Sequence, residues 1–138
     1  MAAATMKLEI VTPTGQVYSN DVDFVTLPGR EGEMGIYPQH APLITLLGSG
    51  EIIARRGTQE DRILVTTGCA EITAERVGIL TVFATPSSEI DEQKAEAARV
   101  RAEARLQDKN LSQEESAMVQ AAVTHSIAQL KLKRRSMR

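Results

Sequence analysis

Thr85-Pro86-Ser87-Ser88-Glu89-Ile90-Asp91 is the stretch at which this 138-residue chain changes character. All nine Gly, all five Pro and the four aromatic residues (Tyr18, Phe24, Tyr37, Phe83) lie before Glu89. Residues 89–138 hold none of these and contain nine Ala. Gly and Pro punctuate turns, so the first part is expected to consist of many short elements. Their absence over the last fifty residues predicts helix. Charge changes at the same place: six Lys/Arg stand against ten Asp/Glu in residues 1–88, and ten against eight afterwards. The chain therefore reads as two domains, 1–86 and 87–138, with Thr85-Pro86-Ser87-Ser88 as the hinge.

Working back from the hinge, the first part reads as strands. Met6, Leu8 and Ile10 alternate with Lys7 and Glu9, the period-two pattern of a half-buried strand. Val22-Asp23-Phe24-Val25-Thr26-Leu27 is rich in strand formers, as are residues 63–67, 70–73 and 77–83. Turn signals separate them at Pro13-Thr14-Gly15, Pro28-Gly29, Gly48-Ser49-Gly50, Arg56-Gly57 and Gly68. Strands at this spacing without intervening helices predict an antiparallel sandwich or barrel.

Working forward, the second part reads as a helical hairpin. Ser88-Glu89-Ile90-Asp91 and Ser112-Gln113-Glu114-Glu115 both have capping-box spacing. They place helices at about 89–106 and 113–134, roughly 27 and 33 Å long. The connection Gln107-Asp108-Lys109-Asn110-Leu111 is short enough to make them antiparallel neighbours. Small residues recur at Ala95, Ala98 and Ala102 (then Leu106) on the first helix, and at Ala117, Ala121, Thr124 and Ala128 on the second. These two seams are expected to face each other. A larger stripe, Val119, Val123, Ile127 and Leu130, then lies on the other side of the second helix, free for the strand domain or another protein. Two thin seams bury little apolar area, which at about 25 cal/mol per Å² makes a weak joint and a detachable hairpin.

Composition removes several classes of function. The formal net charge of −2 excludes a broadly basic nucleic-acid binder. The tail Lys131-Leu132-Lys133-Arg134-Arg135-Ser136-Met137-Arg138 has five cations and no acid, but no aromatic interleaves them. They suit the helix C-terminus or an acidic protein partner. No run approaches the ~18 apolar residues of a membrane span. The opening Met1-Ala2-Ala3-Ala4-Thr5-Met6-Lys7 lacks a basic segment followed by an apolar one, so no secretory signal is expected. Cys69 stands alone, which excludes an internal disulfide; it is expected to be a small buried hydrophobe. No glycine-rich phosphate loop occurs. The two histidines, His40 and His125, fall in different domains, without metal spacing or a nucleophile partner. No enzyme activity and no metal are expected.

The densest local signal is Gly29-Arg30-Glu31-Gly32-Glu33-Met34-Gly35-Ile36-Tyr37-Pro38-Gln39-His40-Ala41-Pro42. Three Gly and two Pro predict a rigid irregular loop with an outward acidic edge. It serves either as a structural corner, with His40 bonded to backbone, or as a protein-contact loop. Residues 31–45 followed by Gly48-Ser49-Gly50 resemble the signature of the epsilon subunit of bacterial rotary F-type ATP synthases. Gly68-Cys69-Ala70-Glu71-Ile72 and the helix opened by Ile90-Asp91 resemble that family too, in the same order along the chain.

The resemblance implies a ten-stranded antiparallel β-sandwich followed by an antiparallel two-helix hairpin. It implies a non-catalytic central-stalk (rotor) subunit whose partners are the gamma subunit, the c-ring and the alpha/beta hexamer. Such a subunit sits peripherally on the cytoplasmic face of a bacterial membrane and couples ring rotation to the hexamer. Glu31, Glu33, Tyr37 and His40 are implied as the c-ring contact. The hairpin is implied to inhibit ATP hydrolysis when extended, with Lys131, Lys133, Arg134 and Arg135 meeting acidic beta segments and Val119, Val123, Ile127 and Leu130 packing on gamma or on the sandwich. Some members bind ATP on the hairpin through an Ile-Asp-x-x-Arg-Ala motif. Here Ile90-Asp91-Glu92-Gln93-Lys94-Ala95 has Lys for Arg, and the matching turns of the second helix carry Thr124, His125 and Gln129. Lysine cannot reproduce a bidentate guanidinium. Asp91, Lys94 and Arg101 are the nucleotide candidates, no tight ATP site is expected, and no cofactor is assigned. The alternatives from residues alone are a free-standing β-sandwich ligand-binding or adaptor module and a small hydrolase.

Overall fold

The computed structural model describes residues 4–137; residues 1–3 of the opening run and Arg138 of the basic tail lie outside the described residues. The chain divides into two compact units, Met1–Pro86 and Ser87–Arg138.

The first unit holds ten strands: β1 (Met6–Thr12), β2 (Gly15–Val22), β3 (Phe24–Gly29), β4 (Gly32–Ile36), β5 (Leu43–Leu47), β6 (Gly50–Arg56), β7 (Gln59–Val65), β8 (Gly68–Ile72), β9 (Arg76–Thr81) and β10 (Ala84–Pro86). They are hydrogen-bonded in the order β10-β7-β6-β3-β5-β8-β9-β1-β2, with β4 on the free side of β3. β3 and β5 share one register pair, Gly29 with Leu47. The sheet folds there into two layers of five strands: β10-β7-β6-β3-β4 and β5-β8-β9-β1-β2. The core between them is aliphatic, as the aromatic-poor sequence requires: Leu8, Ile10, Leu27, Ile52, Ile63 and Ile79 are at most 1% exposed. Tyr18 fastens the layers from the edge. Its hydroxyl on β2 donates to Asp61 Oδ2 on β7 at 2.6 Å. Burial and this carboxylate push the phenol up to about 12.

Four expectations change here. All pairings are antiparallel except β1 with β9, which is parallel (Lys7 with Arg76 through Val11 with Leu80). The chain leaves β2 for the other layer and comes back through β5 and β8 before it reaches β9, so hairpin connection does not dictate the direction of this pair. The stretch 22–27 is split at Asp23, because Asp23 binds the Gly57 amide through Oδ2 at 2.6 Å and its own amide bonds Arg55 O at 2.9 Å. Residues 29–42 are not irregular throughout. Gly32–Ile36 forms β4, a hairpin with β3 whose two-residue tip is Arg30-Glu31. Gly32 takes φ +137°, a value side chains disfavour, and a Cβ on Gly29 would collide with the Gly32 carbonyl. The proposed hinge is itself structured: Pro86 closes edge strand β10, where a missing N–H is tolerated, and Ser87–Glu89 forms a 3₁₀ turn.

The second unit is that turn plus α1 (Glu92–Leu106) and α2 (Gln113–Ser136). The box at Ser112 forms in full. Its Oγ accepts from the Glu115 amide at 3.1 Å, and Glu115 Oε2 accepts from the Ser112 amide at 2.9 Å. The box at Ser88 does not form. Ser88 lies in the 3₁₀ turn, and Asp91 caps α1 instead, accepting from the amides of Gln93 (3.0 Å) and Lys94 (3.2 Å). The smaller acid serves as the cap itself, so α1 starts three residues later than expected.

The seams are also reassigned. Ala117, Ala121 and Thr124 are exposed, whereas Val123 and Leu130 are buried. Val119 shares a groove with Ala98 and Ala102 of α1, and Arg134 reaches Glu92 on α1. Val119, Val123, Ser126, Leu130 and Arg134, spaced three or four apart, mark the α2 face turned to α1. The larger stripe, not the small seam, forms most of the joint. Ile127, half-buried, lies beside it.

Candidate functional site

The outer face of layer β5-β8-β9-β1-β2 carries side chains that ordinary solvation does not explain. Register aligns Leu46 with Cys69, Cys69 with Leu80, and Leu80 with Val11. This makes one apolar row across four strands. Leu46 is 55% and Leu80 58% exposed, and neighbouring Ile44 and Val82 are 77% and 70% exposed. Cys69 is half-buried within the row and not a core residue, correcting the sequence expectation. The next row is charged: Glu71 pairs with Gly78, and Gly78 with Glu9. Arg76 lies over Gly78, where a Cβ would meet its Nη1 at 2.8 Å, and reaches Glu9 Oε2 at 3.0 Å. A continuous apolar strip with a charged margin is the anatomy of a protein interface.

Sequence reasoning missed this row. The signal was present in Leu43-Ile44-Thr45-Leu46-Leu47, where both parities of a strand are apolar and two faces therefore need cover.

The sandwich has two ends, and the four loop residues expected to act together are divided between them. Glu31, at the β3–β4 tip, lies at the end where the Arg30 amide bonds Leu46 O (3.1 Å) and the Gly48 amide bonds Pro28 O (2.9 Å). Glu33 is two residues further along the same hairpin, and both carboxylates are exposed. Tyr37 and His40 lie past β4 at the other end, where the Gln39 amide bonds Ala74 O at 2.7 Å. Tyr37 leans on Phe24 with ring centroids 4.5 Å apart, and Arg55 covers that Phe24 ring at 4.7 Å. His40 Nδ1 is 2.7 Å from the Ala41 carbonyl, which only accepts, so this nitrogen donates. Six residues of extended chain span about 20 Å, so Tyr37 cannot share one small contact with Glu31. The acidic tip and the Tyr37–His40 loop thus lie at opposite ends of β4.

In the helical unit the basic residues crowd the end of α2. Lys133 Nζ donates to the Ser87 carbonyl at 3.2 Å, and Arg134 Nε lies 3.4 Å from Glu92 Oε1. Lys131 and Arg135 are exposed. Arg99 on α1 binds both Glu96 and Glu103, and the guanidinium holds the Glu96 carboxyl below its usual range.

The family description "ATP synthase, Delta/Epsilon chain, beta-sandwich domain" matches residues 5–87, and "ATP synthase, Delta/Epsilon chain, long alpha-helix domain" matches residues 88–134. The chain belongs to the ATP synthase delta/epsilon family. It is 42% identical over 129 residues to an ATP synthase epsilon chain of Dehalococcoides mccartyi, covering 94% of this chain and 92% of that one. It is 45% identical over 109 residues to one of Pelotomaculum thermopropionicum, covering 79% and 81%. A chain in the Euglena gracilis mitochondrial ATP synthase structure (OSCP/F1/c-ring) superposes with a TM-score of 0.71 at 25% identity, covering 87% of this chain and 76% of that one. A chain of the Tetrahymena thermophila central stalk/c-ring structure superposes at 0.56 with 13% identity, covering 96% and 99%, and shows the shared fold.

The three nucleotide candidates of this delta/epsilon fold lie along α1 and its cap. The Asp91 carboxylate is occupied as the α1 cap. Lys94 is exposed on the first turn of α1, and Arg101 stands seven residues on, about 10 Å along the axis. Among the described residues no group of three or more His, Cys, Asp or Glu could hold a metal. No helix among them is long and apolar enough to cross a membrane.

Proposed function

We propose that this chain is a non-catalytic central-stalk subunit of a proton-translocating ATP synthase. It joins the c-ring to gamma, and so to the alpha/beta hexamer, peripherally on the cytoplasmic face of a bacterial membrane. The observation that carries this reading is the apolar row Leu46-Cys69-Leu80-Val11, with Ile44 and Val82 beside it, on a member of the delta/epsilon family. A rotor subunit must be gripped over a wide apolar surface, because exposed ion pairs of about 0–1 kcal/mol each cannot transmit load. This face is the gamma-docking surface. The acidic β3–β4 tip, Glu31 with Glu33, meets the cationic loops of the c-ring, where complementary charge sets approach and register. The helical unit regulates hydrolysis: its basic α2 end, Lys131, Lys133, Arg134 and Arg135, engages acidic beta segments when the hairpin extends. Ile127 supplies apolar area beside the joint for that extended contact.

Leu46→Glu and Leu80→Glu test the docking face in the full chain. Each side chain is already more than half exposed, so the fold is expected to survive. Burying a charge in place of a leucine worth about 1.5–3 kcal/mol at the interface is expected to weaken gamma association by at least tenfold. Co-purification of gamma, alpha and beta from membrane extract, with circular dichroism as the folding check, measures it. Undiminished recovery of gamma would remove this surface from the assembly. Failure of the unaltered chain to recover any of the three would favour the free-standing module.

A further inference from the structure

Three contacts close the base of the helical unit. The Ser87 hydroxyl, in the 3₁₀ turn, donates to Ser136 Oγ at 3.1 Å. Its carbonyl accepts from Lys133 Nζ at 3.2 Å. One turn away, Arg134 Nε pairs with Glu92 Oε1 at 3.4 Å. Ser87 is 8% exposed and Leu132, next to Lys133, is 0% exposed, so the last turns of α2 are anchored.

We propose that these contacts form a clasp that keeps the hairpin closed by occupying the same cations that its extended state offers to an acidic partner. This rests on the regulatory reading of the hairpin given above. Lys133 cannot cap the Ser87 carbonyl and reach a partner carboxylate at the same time, and Arg134 cannot pair twice in one geometry. Release and capture are therefore one exchange of partners. An acidic protein segment competes directly with Glu92 and the Ser87 carbonyl, and the populations follow from the difference between the two sets of contacts. The acid side of the clasp can be altered without touching the cations. This gives opposite signs for substitutions on its two sides.

The test uses Glu92→Gln and Ser87→Ala, neither of which removes a cation. In the full chain, amide hydrogen exchange over residues 131–136 is expected to accelerate about two- to fivefold in each, the range that an exposed ion pair or hydroxyl contact supports. Unchanged exchange in either variant overturns the clasp. In the assembled ATP synthase, Glu92→Gln is expected to deepen inhibition of ATP hydrolysis, whereas Lys133→Ala with Arg134→Ala relieves it. Equal or weaker inhibition in Glu92→Gln overturns the sharing of cations. If removal of residues 108–138 leaves hydrolysis unchanged, the regulatory reading itself fails, and the exchange data still decide the clasp.

Discussion

The phenol of Tyr18 ties β2 to β7 through Asp61, which also receives Arg56 Nη2 at 2.9 Å. Tyr18→Phe keeps the ring and removes the donor. Because Asp61 keeps Arg56, the loss is expected near the lower end of a hydrogen bond to a charged group, about 1–2 kcal/mol, read by urea unfolding of the full chain. The same bond has a pH signature. The folded phenol ionises at about 12 and the unfolded one near 10. Below about pH 10 both are neutral and the contribution is complete. As pH rises from about 10 to 12 the unfolded state loses its proton first, and stability falls. Thermal unfolding between pH 9 and 11.5 is expected to show this decline, flattened in Tyr18→Phe. At the same scale, Gly78 has a role its sequence did not disclose. It leaves the space through which Arg76 crosses to Glu9, setting the charged margin beside the apolar row.

The elements show which signals are local and which are not. α2 was legible because its capping box, Ser112 with Glu115, is satisfied by the backbone of four consecutive residues. Ser112→Ala is expected to cost about 1 kcal/mol of helix stability, seen as lower helicity at 222 nm and earlier melting of the hairpin. At Ser88 the same spacing misled, because Asp91 can cap and Ser88 is held by the turn from Ser87. The strand character of residues 1–86 was readable from alternation and turn residues, and the acidic tip from Glu31 and Glu33. β4 was hidden because Gly32, Gly35 and the flanking prolines look like loop, and its pairing with β3 supplies what its own propensity lacks. The separation of Tyr37 and His40 from Glu31 follows from that strand, so it could not be read without it. The facing of the helices was misread for another reason. Two stripes on α2 fit helical periodicity equally well, and only three-dimensional packing selects Val119, Val123 and Leu130 for α1.

At the scale of the whole molecule, the chain assigns firm and yielding duties to separate units. The first has an aliphatic core closed between two five-stranded layers; the second depends on one helix–helix joint and a few polar contacts at its base. The parallel pairing of β1 with β9 bears on the first duty. Met6 and Thr81 lie just beyond this ladder, at its opposite ends. A force drawing those positions apart therefore slides the two strands along each other and strains every bond of the ladder together. Gly68 and Thr81, by contrast, sit side by side at the open end of the β8–β9 hairpin, and separating them parts one pair at a time. Single-molecule stretching of the full chain through attachments at residues 6 and 81 is expected to give one abrupt high-force rupture, and through 68 and 81 a gradual low-force opening. The interior seat of the first strand makes this block a stiff mechanical link along its strands.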